Sequence, residues 1–215
     1  MFAQDGHKIL ILGVLVFVFF AVITFFIPYL IFKILTALTG VLCIFNFFFF
    51  RDPERQIPAG ENLILSPADG TVLKIEQIYE PYYIQNSVTC VSIFMSVLSV
   101  HVNRIPVSGK VEFLEYIKGK FRVAYVDKAS EENEQSIIGI RHGDQKILFK
   151  QIAGIIARRI VYHLQEGQAV KAGDRFGLIR YGSRVDIFFD KSTLIRVKPE
   201  EKVYAGVTII GEFNK

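Results

Sequence analysis

Residues 34–55 read ILTALTGVLCIFNFFFFRDPER, and at Arg51 the composition of the chain changes. The first 50 residues hold 12 of the 20 Phe and three formal charges, Asp5, Lys8 and Lys33. The other 165 residues carry 23 Lys and Arg against 20 Asp and Glu, so their charge is almost balanced. This composition excludes a wholly soluble protein, a disordered chain and a strongly basic nucleic-acid binder. The two Cys exclude a disulfide framework and a four-Cys zinc site.

The apolar part of the chain has the pattern of two membrane helices. Its first run, Ile9–Ile27, has 19 residues without a charge, and 16 of them are Leu, Ile, Val or Phe. About 20 such residues cross the hydrocarbon as a helix. Pro28 ends this run, and Lys33 is costly at the bilayer centre, so we expect a turn near the interface here. The second run, Ile34–Phe50, is about 25 Å long as a helix, which is slightly short. We predict an α-helical membrane hairpin over residues 1–50.

The charges beside this hairpin predict its orientation. Lys8, Arg51 and Arg55 flank its two ends, which favours a cell-membrane protein with both ends on the cytoplasmic side. A secretory signal peptide is disfavoured, because the apolar region is too long and no small-x-small cleavage site follows it. The pattern fits a spanning hairpin and also a re-entrant hairpin that dips into one leaflet.

From Arg51 onward, short runs rich in Val and Ile alternate with Gly, Pro and Asp, which is typical of strands. The clearest runs are Gly70–Ile75, Val88–Met95, Gly109–Phe113 and Phe176–Tyr181. The segment Ile147–Val161 fits a strand or a helix. No series of amphipathic helices alternates with the strands, which disfavours a doubly wound sheet. We therefore predict a mainly β (α+β) domain over residues 51–215, of sandwich or half-barrel form.

Two Gly-containing turns resemble those of biotinyl and lipoyl carrier barrels. They lie at Pro106–Val111 and Val170–Gly177. The tripeptide Asp127-Lys128-Ala129 also matches the one that carries lipoate in such domains. A tripeptide often matches by chance, and the β part is longer than a carrier domain. A membrane-tethered carrier or adaptor modified at Lys128 is therefore the alternative hypothesis, and it predicts an intact chain.

Four clusters of residues in the second part of the chain could carry chemistry. They are Ser66–Gly70, Phe94–Pro106, Lys128–Glu134 and Phe176–Asp186. Each has an ordinary structural explanation when it is taken alone. Asp69-Gly70 is a common turn pair, and a Gly such as Gly182 within a strand often marks a bulge.

Taken together, these segments resemble the phosphatidylserine decarboxylase family in its short, membrane-associated form. The resemblance covers nearly the whole chain, and its segments occur in the order found in the family. They are Phe50–Arg55, Ser66–Gly70, His101–Pro106, Asn133-Glu134, Gln151–Val161 and Gly173–Asp186. The resemblance implies an enzyme that converts phosphatidylserine in the bilayer to phosphatidylethanolamine and CO2.

The resemblance also implies a pyruvoyl cofactor that is made from Ser183. Decarboxylation of an α-amino acid leaves a carbanion, and a cofactor must take up its electrons. In the family, the Ser hydroxyl attacks the preceding carbonyl, the amide becomes an ester, and elimination splits the chain. Here the cut falls between Gly182 and Ser183, and it gives chains 1–182 and 183–215, which stay associated. Gly before Ser crowds the attacked carbonyl least.

The family resemblance assigns further roles within these segments. His101 and Asp69 match the catalytic pair, a His oriented by a carboxylate. Longer members carry a second His where Arg104 stands, and Arg104 stays protonated, so either His101 serves both steps or self-cleavage uses another base. Arg104 and Asn133 are candidates for substrate binding. A serine hydrolase that uses Ser183, His101 and Asp69 is a further alternative, but it lacks the Gly-x-Ser-x-Gly elbow.

Two further His and two Arg residues are interpreted without a catalytic role. His142 and His163 lie outside the family-like segments, and we predict that they are surface residues. Arg158 and Arg159 are expected to be structural or solvated rather than bound to the lipid head group. The sequence predicts no metal site and no nucleic-acid partner.

Overall fold

The computed structural model describes residues 1–119, 133–154, 160–180 and 183–214. The chain divides into two compact units, Met1–Glu54 and Arg55–Lys215. The boundary between them lies just after Arg51, where the composition of the sequence changes.

The first unit is a helical hairpin. A short 3-10 helix (Gln4–Gly6) leads into α1 (His7–Phe26), and α2 (Leu30–Phe49) returns antiparallel to it. Both α-helices have 20 residues, and they are long and apolar enough to cross a membrane. The start of the chain pairs with the end of α2, since Ala3 N donates to the Phe50 carbonyl at 2.9 Å. The two ends of the hairpin therefore lie together.

The second helix begins earlier than the sequence predicts. Pro28 lies in the reversal between the helices, and α2 starts two residues later, so Lys33 belongs to the first turn of α2. The hydroxyls of Thr24 and Thr36 are 2.8 Å apart and join the helices near this reversal. With the added turn, α2 reaches about 30 Å, so the predicted shortness of the second helix was wrong.

The second unit is built mainly of strands. In its described residues they are β1 (Leu63–Leu65), β2 (Gly70–Glu80), β3 (Asn86–Met95), β4 (Val102–Arg104), β5 (Gly109–Ile117), β6 (Gln135–His142), β7 (Gln145–Ala153), β8 (Ile160–Tyr162), β9 (Ala169–Val170), β10 (Arg175–Ile179), β11 (Ser183–Asp190), β12 (Leu194–Ile195), β13 (Lys202–Val203) and β14 (Ile209–Glu212). This confirms a mainly β domain. Each of the four clear runs in the sequence forms a strand, β2, β3, β5 and β10.

The strands form one large curled sheet and two small ones. The large sheet has the order β13-β2-β3-β11-β7-β6-β5-β9, and its neighbouring strands are antiparallel. The small sheets have the orders β4-β10-β8 and β1-β14-β12. Register shifts in β2 and β5 add residues to these strands, and such bulges bend a strand.

The central strands of the large sheet are buried on both faces. Val185 and Ile187 of β11 belong to the main core with Phe149, whereas Phe188 belongs to a second cluster with Leu148. Strands covered on both sides show continuous apolar runs instead of alternation. This explains why the segment around β7 fits a helix as well as a strand in the sequence. In the structure it is strand in β7 and β8, and residues 155–159 lie outside the described part.

Some sequence predictions fall outside the described residues. They concern Lys128 with its tripeptide, Arg158, Arg159, Tyr181 and Gly182. The likeness of the strand-turn elements to biotinyl and lipoyl barrels stays a prediction.

The close contact of β5 with β6 predicts that Gly109→Ala is destabilising. A Cβ at position 109 would lie 2.1 Å from the Arg141 carbonyl oxygen, which is backbone and cannot rotate away. We expect a loss of about 1–3 kcal/mol in the free energy of unfolding, as is usual for overpacking, measured by unfolding of the full-length protein in detergent. Lys110→Ala, on the exposed neighbour, is the control, and equal stability of the two variants would contradict the prediction.

Candidate active site

Ser183 lies at one end of the large sheet, on its central strand. It is the first residue of β11 and is fully buried. The register places it between Met95, the last residue of β3, and Ala153, the last residue of β7. Because neighbouring strands are antiparallel, the ends of β3 and β7 meet the start of β11 at this point.

The Ser183 hydroxyl has a weak hydrogen-bond partner. Its Oγ donates to the Met95 thioether sulfur at 3.3 Å. The Asn103 side-chain amide approaches the same sulfur at 3.7 Å and the Pro67 carbonyl at 3.3 Å. A thioether is a poor acceptor, so the hydroxyl loses little when it turns toward another group.

Asn103 is oriented by a chain of buried polar side chains. Gln151 Nε2 donates to Asn103 Oδ1 at 2.8 Å, and Ser136 Oγ donates to Gln151 Oε1 at 2.7 Å. Since Asn103 Oδ1 accepts, its NH2 group faces the Met95 sulfur and the Pro67 carbonyl. Sequence reasoning missed this chain of contacts. Asn103 and Gln151 stand in family-like segments, but the pairing of residues 48 positions apart depends on the strand register.

Asp69 lies at the same end of the sheet. It precedes β2, whose residue Thr71 pairs with Phe94 near the end of β3. The carboxylate is buried, and its Oδ2 accepts from Arg55 Nη2 at 2.8 Å while Oδ1 accepts from the Ala205 amide at 2.8 Å. Arg55 is thus an ion-pair partner of Asp69, a role that its position beside the apolar hairpin does not reveal.

His101 lies beside the strand that leads to Ser183. It immediately precedes β4, where Val102 pairs with Leu178 near the end of β10, and Ile179, the last residue of β10, comes four residues before Ser183 in the chain. The buried imidazole places Nδ1 2.9 Å from the Ser99 carbonyl oxygen. A carbonyl only accepts, so Nδ1 donates, and in the neutral ring the lone pair is on Nε2. This tautomer suits a base that acts through Nε2.

The two predicted substrate-binding residues are both buried and contact backbone. Asn133 Nδ2 donates at 2.6 Å to the carbonyl of Ala153, the residue of β7 that pairs with Ser183. Arg104 Nη1 donates to the Gly173 carbonyl at 2.9 Å. Gly173 has φ +85° in the turn before β10. Asn133 therefore lies at the Ser183 end, and Arg104 supports the turn that begins β10.

The remaining His residues of the second unit lie away from Ser183. His142 ends β6 at the opposite end of the sheet, where it contacts the Ser108 carbonyl at 2.7 Å and stacks on Phe213. It is partly buried, whereas His163 is exposed, beside the start of β10. Of the three His residues of this unit, His101 is therefore the one that lies at the same end of the sheet as Ser183. In the described part of the chain, no group of three His, Cys, Asp or Glu could hold a metal ion.

A buried ion pair lies on the other face of the strand that begins with Ser183. Arg184 Nε donates to Asp186 Oδ1 at 2.6 Å, and Arg184 Nη2 donates to Ser92 Oγ of β3 at 2.7 Å. Nearby, burial lowers the pKa of Lys150, while the charges of Glu80 and Asp186 oppose this shift. The contact with Ser92 ties the first residues of β11 to β3.

The comparison with known proteins decides the family. The chain matches the model for phosphatidylserine decarboxylase over residues 42–211. The chain belongs to the phosphatidylserine decarboxylase family. A phosphatidylserine decarboxylase proenzyme of Wolbachia sp. subsp. Brugia malayi is 48% identical over 205 residues, which are 91% of this chain and 89% of that protein. A protein of the same name from Syntrophus aciditrophicus is 50% identical, over 79% of this chain and 80% of that protein. Another from Chlorobium phaeobacteroides (strain DSM 266) is 44% identical, over 90% of this chain and 90% of that protein.

Membership of the phosphatidylserine decarboxylase family confirms the resemblance found in the sequence. The chain is an enzyme, a decarboxylase of phosphatidylserine. The matched residues include every strand from β1 to β13 and the whole Ser183 end of the sheet. The match favours decarboxylation over the carrier and serine-hydrolase alternatives.

The buried ion pair predicts that Arg184→Met is strongly destabilising. It leaves the Asp186 carboxylate buried without its guanidinium, for which a loss of about 3–5 kcal/mol is usual. We expect a lower melting temperature of the full-length protein in detergent. The control is Arg196→Met, which removes an exposed ion pair with Glu212 of 2.8 Å and has a much smaller effect. Equal shifts in the two variants would refute the prediction.

Proposed function

We propose that this decarboxylase is a membrane-bound precursor that cuts itself between Gly182 and Ser183 and carries a pyruvoyl group on the new chain end. The family supports the substrate, phosphatidylserine, and the reaction, decarboxylation. The observation that carries the proposal is the position of Ser183, a buried serine at the start of the central strand whose hydroxyl is held by a thioether.

The proposed cut uses the hydroxyl of Ser183. Oγ attacks the Gly182 carbonyl carbon and loses its proton to a base, and the peptide C–N bond breaks as the serine nitrogen takes up a proton. The resulting ester is eliminated when the α-proton leaves and the Cβ–Oγ bond breaks, which frees the Gly182 carboxylate. One water then replaces the nitrogen, which departs as ammonia. The weak contact with Met95 supports the first step, because the hydroxyl is easily released.

The surroundings of Ser183 fit a pyruvoyl group. Its ketone supplies the electron sink that decarboxylation of the serine head group needs. The Asn103 NH2 group approaches the same Met95 sulfur as the Ser183 hydroxyl, and an amide donor is suited to a carbonyl oxygen. The small chain, 183–215, stays with the large chain because β11 lies between β3 and β7 and β14 pairs with β1.

We assign the proton transfers of decarboxylation to His101 through Nε2. The Ser99 carbonyl fixes the ring through Nδ1. His101 is also the proposed base for self-cleavage, because Arg104 stays protonated and the other His residues of the unit lie elsewhere. Asp69, which forms an ion pair with Arg55, is the proposed carboxylate of the site. We propose that Asn133 and Arg104 shape the pocket for the anionic head group.

The helical hairpin is proposed to anchor the enzyme in the cell membrane. Its apolar side chains are largely exposed over both helices, as lipid contact requires. Lys8 and Arg51 lie at the end of the hairpin where the chain enters and leaves it, which favours a catalytic unit on the cytoplasmic side. A lipid substrate then stays in the bilayer while its head group reaches the enzyme.

Ser183→Ala tests the cut and the cofactor together. Without Oγ the peptide bond has no nucleophile, so we expect an uncut chain of 24.5 kDa with no decarboxylase activity. Intact-mass analysis and a hydrazine-type carbonyl reagent give the readouts. Ser192→Ala, an exposed serine of the small chain, is the control and is expected to be cut and active. Robust cleavage or a reactive carbonyl in the Ser183 variant would sink the proposal.

His101→Asn tests the proton transfers. The Asn amide still donates toward the Ser99 carbonyl but offers no base, so decarboxylation is expected to fall by about 10²-fold or more. Cleavage is followed separately by mass, and a slower cut is expected as well. His163→Asn, at an exposed position, is the control. An activity of His101→Asn within a few-fold of that of the control would remove His101 from the mechanism.

A further inference from the structure

The turn between β3 and His101 exposes two apolar side chains. Leu98 is 62% exposed and Val97 36%, whereas Met95 and Val100 on either side are 0% and 6% exposed. Because Met95 and Val100 are buried, the residues between them, Val97 and Leu98, are kept at the surface. These two apolar side chains lie four and three residues before His101, so a membrane that received them would lie beside the candidate site.

Two backbone amides of this turn are satisfied within the turn itself. The Ser99 amide donates to the Ser96 carbonyl at 2.9 Å, and the Leu98 amide donates to Ser96 Oγ at 3.3 Å. Ser96 Oγ and Ser99 Oγ are also 3.3 Å apart. Internal satisfaction of polar groups is what a segment needs if it enters the boundary between water and hydrocarbon.

The same end of the sheet carries further groups that suit a membrane surface. Strand β5 ends where β3 ends, and its residue Tyr116 is 41% exposed while its hydroxyl bonds Glu134. Lys118, just beyond β5, is exposed as well. Tyr is enriched at membrane interfaces, and Lys is attracted to anionic lipids. By contrast, exposed Tyr79 lies near the opposite end of the sheet.

We propose that the 96–99 turn inserts Val97 and Leu98 into the surface of an anionic lipid bilayer. This is a contact of the catalytic unit itself, in addition to the helical hairpin. It rests on the proposed function, since a lipid whose head group reaches Ser183 keeps its acyl chains in the bilayer. The Ser99 carbonyl holds His101 Nδ1 at 2.9 Å, so the turn that enters the bilayer also orients the imidazole. Insertion therefore places His101 at the level of the head groups.

The absence of Trp from the chain allows a direct test. Leu98→Trp and the control Tyr79→Trp each introduce a single indole at an exposed position. The full-length variants are reconstituted in phosphatidylserine-containing vesicles, with or without brominated acyl chains. We expect bromine quenching and a blue shift for the indole at position 98 and neither for the one at position 79. Equal quenching at the two positions would overturn the proposal. This readout does not depend on activity, so it remains decisive if the self-cleavage proposal fails.

A kinetic test uses Leu98→Ser with Leu194→Ser as the control. For each variant, kcat/KM is measured for long-chain phosphatidylserine in vesicles and for monomeric dibutanoyl phosphatidylserine. We expect the ratio of the two values to fall by about tenfold for Leu98→Ser, the equivalent of about 1.4 kcal/mol of lost apolar burial. The control should keep the ratio of the parent enzyme. An unchanged ratio for Leu98→Ser would contradict the insertion of Leu98, because a merely structural defect lowers both values alike.

Discussion

The candidate site depends on the pairing of β11 with β3 on one side and β7 on the other. This register brings Ser183, Met95 and Ala153 to one end of the sheet. It also brings Asn103 and Gln151 into hydrogen-bonding distance, although they are far apart in the chain. A shift of one residue would turn Ser183 away from the Met95 sulfur and toward the other face of the sheet. The chemistry therefore requires a rigid, doubly covered central strand.

The need for a fixed register of β11 offers a reason for the buried ion pair of Arg184 and Asp186. A buried pair is weak evidence for added stability, because desolvation offsets much of the attraction. Its contact with Ser92 nevertheless joins β11 to β3 next to the residue that the proposed cut turns into a chain end. We expect this contact to favour the observed register at the point where the proposed cut would interrupt the backbone.

The sequence predicts the β class, the hairpin and the family, but a smaller part of the site. Four strands were recognisable because short Val- and Ile-rich runs alternate with Gly, Pro and Asp, and His101, Asp69 and Ser183 were found through family-like segments. The role of Arg55 was not found, since it depends on a contact with Asp69, which lies beyond β1 in the chain. The thioether contact of Ser183 was not found either, because it depends on strand pairing over 88 residues. Periodicity also could not separate strand from helix in β7, which is buried on both faces.

The location of the proposed cut follows from the same pairing. A cut in the middle of β11 would interrupt hydrogen bonding to β3 and β7 on both sides of the break. At the first residue of the strand, the residues that follow keep their partners on both neighbours. The proposed conversion of Ser183 would remove its own nitrogen and leave the amides from Arg184 onward in place. A central strand can therefore begin with a reactive carbonyl and keep the pairing of the residues that follow.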